Sequence, residues 1–85
     1  MNQVIIYTSS RCPYCDRAKS LLNSKGVSYH EINIENDPNL KNEMIAKSNN
    51  RKTVPQIFIG DQHVGGCDDL YDLDRNKKLD TLLNI

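Results

Sequence analysis

Apolar positions along the chain fall into short blocks whose period changes from block to block. Residues 4–7, Val-Ile-Ile-Tyr, form an unbroken apolar run rich in β-branched and aromatic side chains, the pattern of a strand buried on both faces. From Pro13 the period lengthens. Ala18, Leu21 and Leu22 fall on one helical face, with Asp16, Arg17, Lys19 and Ser20 opposite. Lys25 and Gly26 supply a basic last turn and a stop. Residues 28–34 alternate, with Tyr29, Ile32 and Ile34 apolar, and are expected to form a second strand. Asp37 suits an N-cap and Pro38 a first helical position. The stripe of that second helix is expected to be Leu40, Met44 and Ala46 or Lys47. Residues 48–53 are a polar loop. Residues 56–59 and 62–64 flank Gly60-Asp61 as a hairpin, which Gly65-Gly66 ends. The remainder is expected to form one or two short helices with Leu70, Leu73, Leu79, Leu82 and Leu83 facing inward.

The resulting order is β-α-β-α-β-β-α, an α/β fold in a single domain over residues 1–85. A right-handed βαβ unit makes the first two strands parallel, and the hairpin adds antiparallel pairing. The expectation is a four-stranded mixed sheet flanked by helices on both faces. Sites in such sheets gather where the carboxyl end of a strand meets the start of a helix. Cys12 stands at that junction.

Charge narrows the partners. Eleven basic and eleven acidic residues give no net charge, hence no electrostatic reason to expect nucleic acid or a membrane surface. The first ten residues have no basic leader, and no apolar run approaches a membrane span. Three cysteines are a poor disulfide framework, so a reducing cytoplasm is the expected location and a permanent structural bridge is not expected.

Cys12 and Cys15 could be a staple, half of a zinc site or a reactive pair. Zinc needs a second ligand pair. No other C-x-x-C or H-x₃₋₅-H occurs, and His30, His63 and Cys67 stand singly, so no metal is expected. The redox reading has a physical basis. A cysteine just before a helix faces unpartnered amide N–H groups that favour an anionic sulfur. Arg11 adds positive charge beside it, Pro13 stiffens the entry and Tyr14 offers an aromatic face. Cys12 is therefore the expected nucleophile, and Cys15, one turn on and covered, the resolving thiol.

Two further motifs suggest a ligand groove. Pro55 removes one N–H from the hairpin strand and pushes Val54 toward an extended conformation, whose backbone could pair with an extended peptide; a plain edge-strand proline is the other reading. Gly65 and Gly66 allow close approach, and the free amides of Cys67 and Asp68 at a helix start suit a carboxylate. Asp68 could equally be an N-cap. Cys67 reads first as a small buried apolar residue and second as a regulatory thiol. His30 and His63 read as ordinary strand or turn residues, and Tyr7, Tyr29 and Tyr71 as core. The charges of residues 68–78 read as a solvated helix face, with Asp69 the ambiguous member.

Taken together, "CPYC" after a strand, "TVPQIFIG" and "GGCDDL" resemble a dithiol glutaredoxin of the bacterial type over essentially the whole chain. That resemblance implies a thioredoxin-like fold, a cis Val54-Pro55 bond and glutathione as electron source. It implies that the amides of Cys67 and Asp68, approached across Gly66, hold the γ-glutamyl carboxylate while the Asp68 carboxylate takes the ammonium. Thr53 and Val54 would hold the cysteinyl part, flanked by Tyr14 and Pro55. Many relatives carry a lysine three residues before the nucleophile, where this chain has Ser9. Arg51 is the expected replacement for the glycyl carboxylate, with Arg11 the other local cation. The implied activity is glutathione-dependent reduction of glutathione mixed disulfides and protein disulfides through Cys12 and Cys15. The alternatives are a redoxin fed by thioredoxin reductase and a glutathione-ligated iron–sulfur carrier. The implied partners are glutathione and glutathionylated or disulfide-containing proteins, with ribonucleotide reductase a family-level possibility, and the expected state is a monomer.

Overall fold

A computed structural model describes residues 2–85. Its elements run β1 (Val4–Thr8), α1 (Pro13–Ser24), β2 (His30–Asn33), α2 (Pro38–Lys47), β3 (Gln56–Ile59), β4 (Gln62–Gly65), α3 (Cys67–Arg75) and α4 (Leu79–Leu83). The expected order is present, and of the one or two closing helices expected the chain forms two. The strands form one sheet in the order β2-β1-β3-β4. β1 pairs in parallel with β2 and antiparallel with β3, and β3–β4 is an antiparallel hairpin, so the sheet is mixed as expected.

The period of two along β1 and β3 divides the core. Val4, Ile6, Ile57 and Ile59 pack with Ala18, Leu21 and Leu22 of α1, Leu70 of α3, and Leu79 and Leu83 of α4. Tyr7 points to the opposite face, where it meets Ile34 and Met44 with Ile5, Leu40, Ile45 and Phe58 around them. Three helices thus cover one face and α2 alone covers the other.

Local chemistry sets the ends of the helices. Asp37 caps α2, its carboxylate accepting from the amides of Asn39 and Leu40 at 3.1 Å. At the end of α1, Gly26 is left-handed (φ 70°). The Gly26 and Val27 amides reach back to the carbonyls of Asn23 and Leu22, satisfying two groups the helix leaves open. Lys25 does more than serve the last turn: its Nζ lies 2.7 Å from Asp74 and 2.8 Å from Asp80, tying α1 to α3 and α4.

Three expectations need correction. The second strand is only His30–Asn33, because at the sheet edge it has one neighbour and three of its four residues are exposed. Ala46 and Lys47 are exposed; Ile45 and Ser48 take those inward positions, since α2 turns with the phase set by Met44. Asp68 is not the N-cap of the last site helix, for reasons given below.

Candidate active site

β1 ends at Thr8, and the chain crosses to α1 through Arg11, whose backbone is left-handed (φ 56°) and whose side chain is exposed. Cys12 is the N-cap of α1 in an extended conformation. Its sulfur accepts from the Cys15 amide at 3.1 Å, so one of the orphan donors of the helix points at sulfur. Pro13 takes the first helical position, where a missing N–H costs nothing. Cys12 and Cys15 are joined in a disulfide with Cα atoms 5.1 Å apart, within the range such bridges require. The two sulfurs differ in access: Cys12 is half-buried, whereas Cys15 is 1% exposed beneath the helix. This is the asymmetry expected of a nucleophile and a resolving thiol.

Beside the pair lies an open groove of about 160 Å³ lined by Tyr14, Arg51, Thr53, Val54, Pro55, Gly66, Cys67, Asp68 and Asp69. Every ligand-binding position expected from the sequence borders it, with Asp69 in addition. Tyr14 is 55% exposed, and the Arg17 guanidinium stacks over its ring at 5.5 Å from the centroid. The Val54-Pro55 bond is cis. Gly66 is the N-cap of α3, and the first intrahelical bond runs from the Leu70 amide to the Gly66 carbonyl. The Cys67 and Asp68 amides lie in the first turn ahead of that bond, facing the groove end of the helix.

The capping carboxylate is Asp69, not Asp68. Its Oδ2 accepts from the Gly66 amide at 2.8 Å and from Arg51 Nη1 at 3.2 Å. The amide bond first, and Arg51 second, hold this carboxyl below the usual range, although burial opposes them. Asp68 is left exposed at the groove. The role of the two glycines is also more specific than expected. A Cβ on Gly65 would stand 2.3 Å from Asp69 Oδ2 and 2.8 Å from Arg51 Nη1, and the backbone there has φ 118°. The bare backbone at Gly65 therefore admits the Arg51–Asp69 pair rather than a ligand. Arg51 borders the groove as expected, but as one half of that pair.

Cys67 is 6% exposed within the core on the α1 side, and burial, followed by the Asp68 charge, pushes its thiol up. It behaves as a buried apolar residue. Arg11 makes no ion pair or hydrogen bond with Cys12 among the described residues. Among those residues no cluster of three or more His, Cys, Asp or Glu is arranged to hold a metal ion. Among the described residues no helix is long and apolar enough to cross a membrane.

A glutaredoxin family model matches residues 4–64. Glutaredoxin 3 of Escherichia coli (strain K12) is 58% identical over 83 residues, covering 98% of this chain and 99% of that protein. A glutaredoxin of Pseudomonas aeruginosa is 54% identical over 84 residues, covering 99% of each. Among solved structures, the buckwheat glutaredoxin–glutathione complex superposes with TM-score 0.88 at 29% identity, covering 98% of this chain and 77% of that one. The solution structure of a Brucella melitensis glutaredoxin superposes with TM-score 0.85 at 57% identity, covering 98% and 89%.

Proposed function

The chain belongs to the glutaredoxin family and is a glutathione-dependent thiol–disulfide oxidoreductase, and from that premise we propose how its residues divide the reaction. The observation that carries the division is the unequal access of the two sulfurs at the start of α1, with the Cys15 amide aimed at Cys12.

In the reduced protein Cys12 is the thiolate, favoured by that amide and the positive end of α1. It attacks the glutathione sulfur of a mixed disulfide; a new Cys12–S–glutathione bond forms and the partner leaves as its thiolate. A second glutathione thiolate attacks the sulfur of the bound glutathione, giving glutathione disulfide and regenerating Cys12. With a protein disulfide, Cys12 forms the mixed disulfide and releases one protein thiolate. Cys15 then attacks the Cys12 sulfur and releases the other, leaving the Cys12–Cys15 bridge, which two glutathiones reduce. Burial keeps Cys15 out of the first step, and its place one turn from Cys12 suits it to the second.

The groove is read as the seat of glutathione. The Cys67 and Asp68 amides, reached across Gly66, hold the γ-glutamyl carboxylate, and the exposed Asp68 carboxylate takes the ammonium. The Thr53–Val54 backbone before Pro55 pairs with the cysteinyl part, and Tyr14 flanks it. Arg51 supplies the cation for the glycyl carboxylate in place of a lysine at Ser9. Support comes from the convergence of these residues on one groove and from the likeness to a glutaredoxin solved with glutathione. The protein is read as a monomer formed by one domain, working on glutathionylated and disulfide-bonded proteins in the cytoplasm, ribonucleotide reductase being one candidate. The family match favours neither reduction by thioredoxin reductase nor cluster carriage.

The test is a glutathione-coupled assay on the wild type, Cys12→Ser and Cys15→Ser. Cys12→Ser loses all turnover. Cys15→Ser keeps removal of glutathione from mixed disulfides and loses reduction of protein disulfides. The reverse pattern would overturn the roles assigned.

A further inference from the structure

Gln56 and His63 stand outside the groove, and the reaction above uses neither. Gln56 is fully buried at the start of β3, paired across the strands with Tyr7 and behind the Thr53–Pro55 corner. Its Nε2 donates to the Thr53 carbonyl at 3.0 Å and lies 3.4 Å from Thr53 Oγ1. With its amide nitrogen so committed, its Oε1 faces the other way and meets His63 Nε2 at 2.8 Å. An amide oxygen can only accept, so the ring nitrogen there donates, and neutral His63 carries its proton on Nε2. The ring is held nearly flat against Phe58, centroids 4.9 Å apart at 29°. Burial, then Arg51, lower the imidazole pKa, against the pull of Asp69.

A buried primary amide has two orientations related by a half turn. One gives the Thr53 carbonyl a donor; the other sets oxygen against oxygen. The Thr53 carbonyl, an acceptor only, requires the first, and the donor on His63 locks it there by giving Oε1 its partner. The carbonyl of Thr53 and the N–H of Val54 belong to one planar peptide group, so fixing the first fixes the direction of the second. We propose that His63 is a positioning residue for the glutathione-linked substrate: through Gln56 it sets the Thr53–Val54 peptide plane and aims the Val54 N–H into the groove. The proposal rests on the reading that Thr53 and Val54 hold the cysteinyl part of glutathione.

His63→Phe keeps a ring to stack on Phe58 and removes the donor; His63→Gln returns a side-chain N–H. With a glutathionylated peptide as substrate, His63→Phe raises KM roughly three- to tenfold, the scale of one lost hydrogen bond, while kcat stays within about twofold. His63→Gln recovers most of the loss. Nitrogen NMR of the wild-type ring finds the proton on Nε2. An unchanged KM in folded His63→Phe, or a proton on Nδ1 in the wild type, overturns the proposal, and the second measurement needs no variant to fold. Titrating oxidised glutathione into the wild type with Cys12 and Cys15 already bridged separates the two readings. If the Val54 amide resonance does not shift, the groove reading fails and the proposal with it; if it shifts while His63→Phe keeps its KM, only the positioning role fails.

Discussion

At the scale of single residues, the site depends on one absent side chain. Gly65 leaves room for Asp69 and Arg51 where a Cβ would collide with both, at a backbone angle L-residues rarely adopt. Gly65→Ala is expected to cost about 2–3 kcal/mol through strain and displacement of that pair, measurable by urea denaturation, and to raise KM for glutathionylated substrates. Arg51→Ala should raise the same KM without destabilising the fold to that extent; equal kinetics with the wild type would deny Arg51 a part in holding glutathione. The lowered Asp69 pKa also fixes a direction in pH. Its contribution is present above the ordinary carboxylate range and is lost as acidity protonates it in the folded state. Because the side chain is 45% exposed, that contribution is under about 1 kcal/mol. Wild type and Asp69→Asn should converge in stability as the pH falls through the carboxylate range; a constant difference would deny the pair its role. The two cysteines were legible in the chain because their chemistry is local: a proline and a helix start within three residues. Asp69 was not. Choosing it over Asp68 depends on a helix that is capped at Gly66, ahead of the start an N-cap at Asp68 would give, and its partner Arg51 lies 18 positions away. The coupling of Gln56 to His63 likewise exists only once the hairpin is folded.

At the scale of elements, α1 links the chemistry to the core. Its first turn carries Cys12 and Cys15, and its buried stripe of Ala18, Leu21 and Leu22 packs on β1 and β3. Leu22→Ala should cost about 2–5 kcal/mol, the range for a leucine truncated in a packed core, read as a fall in thermal midpoint. Turnover measured well below that midpoint should change far less, because the helix start stays joined to β1. A collapse of activity in a folded variant would show that the thiols depend on the far end of the helix. The helices whose stripes combine clear apolar spacing with a cap could be read from sequence. The ends of α2 could be read too, but not the inward face of its last turn, since Ile45, Ala46 and Lys47 differ in phase by single residues and only packing against Tyr7 decides among them. The alternation of residues 28–34 overstates β2 because an edge strand shows alternation that its single neighbour does not fully use.

At the scale of the whole molecule, the sequence implied a mixed sheet with helices on both faces. The order β2-β1-β3-β4 required the structure, because hydrophobic pattern does not reveal which strand sits beside which. A folded chain of 85 residues has a global stability of only about 4–13 kcal/mol, so the distribution of contacts between the two faces matters. One face is secured by three helices and the Lys25 bridges; the other has α2, which buries Met44 completely and little else. The least costly excursion from the native state is thus detachment of α2, with the thiol-bearing half still folded. Deuterium should enter the amides of α2 at lower protection than those of β1 and α1, and Met44→Ala should speed that uptake further while leaving turnover unchanged. The enzyme then carries its weakest seam on the side facing away from α1, where momentary opening leaves electron transfer undisturbed.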